Sequence, residues 1–505
     1  MAGTAPVRLE NITDSLQSFL GVQQAQTTFP QDIAADAIAR LLETRADVGK
    51  LKRLWDTPDE WPALVDDWRG DIDKAAIIAL RKVLDRSMVV QRFANGSPKT
   101  FLSLSPLFIS HERANALYRE MGRSVVDGLW GLEPMSEAKA AIKLRVADWG
   151  NHHPLALLLA PLCEARKIEA QKGPTHLAAA IQGDTRLADW INTTVTQDWR
   201  AWLKASKSMS VDEQLETMTS LIGLHLHVAL LWRLGSAGQT NLKPAFFIDL
   251  VGDNSLCKHA ANQCFGFWRE RVRDALADVA VGAVQKLCSQ HPDFDESLRT
   301  PSWTSASLLG WGAVGIESRG KATKAGAVFN EEVKRLLGEK AMEGIAPAQG
   351  EVMDLLRDAL VTAFGGPSSP TEKTKVYLRA TGQAAGAIGP REAPRKRYYL
   401  DEAGLSLLAR LHVEREREVT TTEEELTSVE AFIDDIGARY GMIITLEREQ
   451  LRSFFEELGD AGRPLRRHFP TEQAMSLNRL ALERRLESMR LLRRYSDASA
   501  VIRIP

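Results

Sequence analysis

The chain has 505 residues, 44% hydrophobic and 26% charged, a balance that excludes a disordered or collagen-like protein. At roughly 100–200 residues per domain, this length suits about three domains. Lysine plus arginine (64) nearly equals aspartate plus glutamate (66), so global charge argues neither for nor against nucleic acid, and any such site must rest on a local patch.

Four cysteines without a CxxC pair exclude a disulfide scaffold and fit reduced thiols in a cytoplasm. The first residues, MAGTAPVRLENITDSL, lack the basic and apolar regions of a signal peptide. The longest apolar runs, 153–163 and 221–232, fall short of the roughly 18 residues that span a bilayer. A soluble, cytoplasmic protein without a membrane partner is expected.

In chain order the pattern is mainly helical. Residues 29–48 place Ile33, Ala37, Leu41 and Val48 on one stripe, and 71–85 repeat the pattern behind Asp71 as a cap. Asn95-Gly96-Ser97-Pro98 marks a turn, and helices are predicted at 110–129, 136–149 and 153–171. Residues 1–205 thus form an α-helical N-terminal domain. A mainly helical middle domain is expected over 206–365. Ser210 and Glu213 form a capping box that opens a helix to about Leu234, and 259–289 is a second helix. Residues 245–251 suit a buried strand or a helix alike. The Gly-rich stretch 300–328 precedes short helices at 330–337 and 351–364.

Gly365-Gly-Pro-Ser-Ser-Pro370 and the loose stretch 382–394 define a predicted linker over 366–394. Beyond it, 395–505 reads as a small α+β module. A strand at 397–400 leads to Asp401 as a cap for a helix over 402–413. A helix over 422–440 is closed by Gly441, a strand follows at 442–446, and an arginine-rich helix covers 471–495. Helix, helix and strand in so short a span are compatible with a winged-helix-like arrangement. The fold class is therefore mainly α and multi-domain, with a small C-terminal α+β module.

Motifs that carry chemistry are incomplete. GIESRGK at 315–321 matches the first seven positions of a phosphate loop, but Ala322 stands where Ser or Thr should ligate magnesium. GWGAVG at 310–315 has GxGxxG spacing, with bulky Trp311 beside the supposed pyrophosphate. His225, His227, Cys257, His259 and Cys264 lack the second tight pair that zinc needs, so buried thiols and hydrogen-bonded histidines are the plainer reading. No GxSxG, HExxH or DxDxDG string occurs, and neither catalytic residues, cofactor nor metal are assigned.

Local charge says more. Arg395, Lys396, Arg397 and Tyr398 join cations to an aromatic, a combination suited to phosphate contact and stacking. Arg463, Arg466 and Arg467 form a second cluster, and Arg479, Arg490 and Arg494 are expected to share a face of the last helix. A solvated, ion-paired helix, or one docked in an acidic protein groove, competes with the nucleic-acid reading. Trp190, Trp199 and Trp202 are expected in a helix-packing core.

RKRYYLDE at 395–402, followed by ARYGMII at 438–444, resembles the tails of accessory proteins from bacterial gene clusters for phage defence and DNA modification. The resemblance covers roughly a tenth of the chain. It implies an accessory role beside ATPases or nucleases and no catalytic residue. Together these readings lead to a non-catalytic scaffold subunit that docks protein subunits or DNA through its C-terminal module. A nucleotide-dependent enzyme using Gly315 to Lys321, and a DNA-binding regulator, are the alternatives.

Overall fold

The computed structural model describes residues 30–47, 122–152, 175–237, 242–252, 256–289, 370–389, 396–419, 427–445, 470–494 and 500–502, with shorter pieces elsewhere. Helix α1 (Pro30–Leu41) begins with a proline at its first position, where the missing N–H costs nothing, and buries Ile33, Ala34, Ala37 and Ile38. It stops before the predicted end at 48. Glu43 takes a left-handed conformation, and strand β1 (Thr44–Asp47) follows. Strands β2 (Val89–Arg92) and β3 (Pro98–Phe101) pair antiparallel on either side of the predicted turn at 95–98.

A π-helical segment (Ser124–Leu129) leads to α2 (Ser136–His152), which buries Ile142, Val146 and Trp149. Strand β4 (Glu164–Lys167) lies inside the helix predicted for 153–171 and pairs antiparallel with β1. Each strand offers the other a ladder partner that no local periodicity reveals, so tertiary pairing overrides the helical pattern in both places. Helices α3 (His176–Gln182) and α4 (Thr185–Trp190) are capped by the Thr175 and Asp184 side chains. After a π-turn comes α5 (Thr196–Ala205), whose Trp199 and Trp202 stack edge-to-face at 5.5 Å and are wholly buried.

The central element is α6 (Val211–Gly235), opened by the predicted capping box: Ser210 Oγ accepts from Glu213 N, and the Glu213 carboxylate accepts from Ser210 N at 2.8 Å. Its length and composition would let it cross a membrane, but it is apolar on nearly every side because neighbours cover it. Strand β5 (Phe246–Phe247) resolves the ambiguity at 245–251 in favour of a strand. Helix α7 (Leu256–Ser289) follows, then the short pair β6 (Glu317–Ser318) and β7 (Lys321–Ala322).

Helix α8 (Pro370–Ala384) occupies most of the segment predicted as a linker. The flanking Gly-Pro sequence signals a break, yet Pro370 is the first helical residue, where proline is tolerated. The helix packs on α6 so closely that a Cβ on Gly223 would stand 2.5 Å from Ala384 Cβ, so only glycine fits there. Strands β8 (Ile388–Gly389) and β9 (Arg397–Tyr398) pair antiparallel, and α9 (Glu402–Val419) starts at Asp401, whose carboxylate accepts from Gly404 N.

Strand β10 (Thr427–Ser428) runs into α10 (Val429–Tyr440). The predicted terminator Gly441 has φ of 72°, and any Cβ there would meet Pro244 O at 1.9 Å. Strand β11 (Met442–Ile443) pairs in parallel with β5. Helix α11 (Glu472–Ser488) ends before the predicted 495. Arg490 adopts φ of 59°, Leu491 N donates to Leu486 O and Arg490 N to Glu487 O, which is a Schellman closure built on arginine instead of glycine. Strands β12 (Leu492–Arg494) and β13 (Ala500–Ile502) complete a three-stranded antiparallel sheet in the order β10-β13-β12.

The protein is mainly α, with short strands. The residues beyond 395 do not form a separate body among the described residues. β11 pairs with β5, α9 packs on α5, and one apolar core runs from Leu16 to Ile502. Asn478 of α11 ties three segments together: its side chain donates to Ile248 O and Ile444 O and accepts from Leu250 N, each at 2.8 Å.

Candidate functional site

Charged side chains gather in three places. The first is largely internal. Asp198 of α5 accepts from Arg415 at 2.7 Å and from the Tyr440 hydroxyl at 2.7 Å, and His225 Nε2 lies 2.9 Å away. Asp435 of α10 accepts from His412 Nδ1 at 2.9 Å, from Arg439 Nε at 2.5 Å, and from Arg415. Burial alone would raise the Asp435 carboxyl, but the His412 hydrogen bond and the Arg415 and Arg439 charges outweigh it and hold it well below the usual carboxylate range. Burial, reinforced by the Asp198 charge, pushes the Tyr440 hydroxyl well up, so it stays protonated and donates. Asp198, His225 and Tyr440 show no exposed surface, so this cluster holds α5, α6, α9 and α10 together and has no face for a substrate.

The second place is the RKRYY segment. Arg397 is 5% exposed and ion-paired with buried Asp249 at 2.8 Å; Tyr398 is fully buried and stacked on Phe246 at 4.3 Å. Both were expected to face a phosphate backbone, and both are spent inside the fold. Tyr399 lies between the guanidinium groups of Arg397 and Arg485, at 5.3 and 4.7 Å from its ring. Among the described residues of this run, Lys396 lines an open cleft. Arg395, Arg463, Arg466 and Arg467 lie outside the described residues.

That cleft, of about 380 Å³, is the third place. Asn262, Phe265 and Arg269 of α7 face Glu372, Lys375 and Arg379 of α8, with Lys396 at one end. Asn262 Nδ2 donates to Lys396 O at 2.8 Å and fixes the third wall against α7. Lys375 pairs with Glu372 at 2.9 Å. Sequence reading missed Arg269, Lys375 and Arg379. The signal available was the i, i+3, i+7 recurrence of charge at 372, 375 and 379, hidden in a segment read as linker.

The last helix differs from its sequence reading. Arg479 pairs with Glu430 and Glu483, and Arg494 pairs with Glu483 at 3.0 Å and lies 3.8 Å from Glu487. Leu477 and Leu480 on the same helix are 53% and 45% exposed. Arg484 and Arg490 are exposed near its C-terminal end.

The remaining motifs are placed as follows. β6 and β7 pair Ser318 with Lys321, and apart from β6 and Lys321 the residues of the partial phosphate-loop match at 315–321 lie outside the described residues. The GxGxxG string at 310–315 lies outside the described residues. His225 and His227 are buried and point to different partners, Asp198 and the Leu378 carbonyl. Burial pushes the Cys257 and Cys264 thiols up to about 12, the behaviour of inert core thiols. Among the described residues, no group of three or more His, Cys, Asp or Glu side chains is arranged to hold a metal ion.

No family model matches this chain, and no curated protein or solved structure matches it.

Proposed function

We propose that the chain is a non-catalytic interaction subunit that docks a protein partner through the exposed face of α11. One observation carries this: Leu477 and Leu480 of the helix stand in solvent while Arg479 and Arg494 are engaged by its own and neighbouring carboxylates. Phosphate backbones are bound by cations that displace counterions, and the exposed residues of the first turns, Glu472, Gln473, Ser476 and Leu477, include none. Leucines three residues apart suit a partner's amphipathic helix. The exposed Arg484 and Arg490 beyond them favour a partner with an acidic rim.

Element order supports a winged-helix-like reading of this segment. The order α9, β10, α10, β11, α11, β12, β13, with β10 beside β13, supports that reading, in which α11 would correspond to the helix that enters a DNA groove. Its face here favours protein over duplex. The resemblance of 395–402 and 438–444 to phage-defence accessory proteins makes a bacterial multiprotein assembly the setting we propose.

The test is co-purification of the full chain from its host with its stoichiometric partner. Two leucines, each contributing about 1.5–3 kcal/mol when buried, make the double variant Leu477→Asp/Leu480→Asp lose that partner by at least about tenfold in affinity. Retention of the partner by this variant, or salt-dependent duplex binding that requires Arg484 and Arg490, would overturn the reading.

A further inference from the structure

We propose that the cleft between α7 and α8 is a binding site for a run of adjacent phosphate groups, separate from the α11 surface and independent of that reading. Two helices form its long walls, and each presents residues at matching spacing: 262, 265 and 269 on one, 372, 375 and 379 on the other. The volume, about 380 Å³, lies within the range of small-ligand pockets.

The charge is one-sided. Arg269, Lys375, Arg379 and Lys396 line the cleft against a single acid, Glu372, a formal balance of 4 − 1 = +3. The chain as a whole is at −2, so this positive charge is concentrated locally. Arg269 of α7 and Arg379 of α8 bring like charge to one opening from opposite walls, where an anion meets cations from both helices at once. Arginine and lysine together suit phosphate oxygens, the former by paired N–H donors and the latter as a point charge.

Gly266 is the second, independent observation. It sits within a 34-residue helix, lines the cleft, and a Cβ there would meet no atom within 4 Å. Packing does not require glycine at this position, and glycine weakens a helix relative to alanine. What it provides is a low wall, with no side chain standing in the cleft. The adjacent Phe265 is only 4% exposed and stands edge-on to Tyr398, so it closes the floor and offers no face on which a base could stack. Recognition therefore rests on phosphate charge and not on a nucleobase.

Calorimetric titration of the full chain with inorganic tripolyphosphate tests this. Binding is expected at low salt and weakens as salt rises. Arg379→Glu and Arg269→Glu, both at exposed positions, should each weaken it at least tenfold, whereas Glu372→Gln should tighten it severalfold. Gly266→Leu should block it with every charge kept, and an unchanged thermal midpoint shows that the variant is folded. Competition by duplex DNA assigns the phosphates to a nucleic-acid backbone, and its failure assigns them to a small polyphosphate compound. Absence of tripolyphosphate binding, or binding indifferent to both Gly266→Leu and Arg379→Glu, overturns the proposal.

Discussion

The cluster around Asp198 and the cleft around Arg379 are built from the same residue types and serve opposite ends. In the cluster, two carboxylates meet Arg415, Arg439, His225, His412 and Tyr440 at hydrogen-bond or ion-pair distances, and Asp198, His225 and Tyr440 are shut off from water. In the cleft, four cations and one acid line an open volume. Charge that is matched and dry fixes the relative placement of helices. Charge left in excess beside solvent adds little to stability and is available to a ligand.

The largest expected effect comes from breaking the matched side. Asp198→Ala leaves Arg415 with Asp435 as its one carboxylate and takes the buried partner from Tyr440 and His225, and should cost about 3–5 kcal/mol in urea unfolding, while Arg379→Ala should stay within about 0.5 kcal/mol. Equal losses from the two would abolish the contrast drawn here.

Acid provides the next test. Burial lowers the His227 imidazole from its ordinary 6.5 to about 4, although the hydrogen bond to the Leu378 carbonyl works the other way. The unfolded chain therefore takes up this proton first as pH falls. Stability from this source is complete above about pH 6.5 and disappears progressively towards pH 4, a loss of about 3 kcal/mol. A His227→Leu variant should flatten the unfolding curve in that window. Below about pH 3.9 a further decline is expected from Asp435, whose carboxyl is depressed and must be protonated against Arg415 and Arg439.

The smallest effect has the opposite sign. Arg490 closes α11 in a conformation that suits glycine, so Arg490→Gly should raise stability by about 1 kcal/mol if the side chain has no structural partner that matters. A loss instead would show that its guanidinium already works for the fold.

These elements also show what was legible in the sequence. The Ser210–Glu213 capping box, the Asp401 cap and the Gly441 terminator depend on neighbours within a few residues, and each stands where the sequence places it. The tryptophans at 190, 199 and 202 are core residues, as helical packing suggests. The strands β1 and β4 were not legible, because each owes its conformation to a partner more than a hundred residues away. Helix α8 was obscured by the glycines and prolines that precede it. Arg397 and Tyr398 read as a surface motif because Asp249 and Phe246, which absorb them, lie far upstream. The cleft escaped notice for the same reason, since no local pattern announces that α7 faces α8.

The reach of these contacts bears on how the chain is made. Asp198 is joined to Arg415 across 217 residues and to Tyr440 across 242. At a synthesis rate of roughly 5–20 residues per second, the carboxylate waits roughly 10–40 s on the ribosome before its guanidinium exists. During that interval Asp198 of α5 has His225 of α6 beside it but not the arginine and tyrosine that close the seam in the finished protein. The nascent amino-terminal portion is thus held short of its final packing until the last helices are translated, and its folding becomes a late event in the life of the polypeptide.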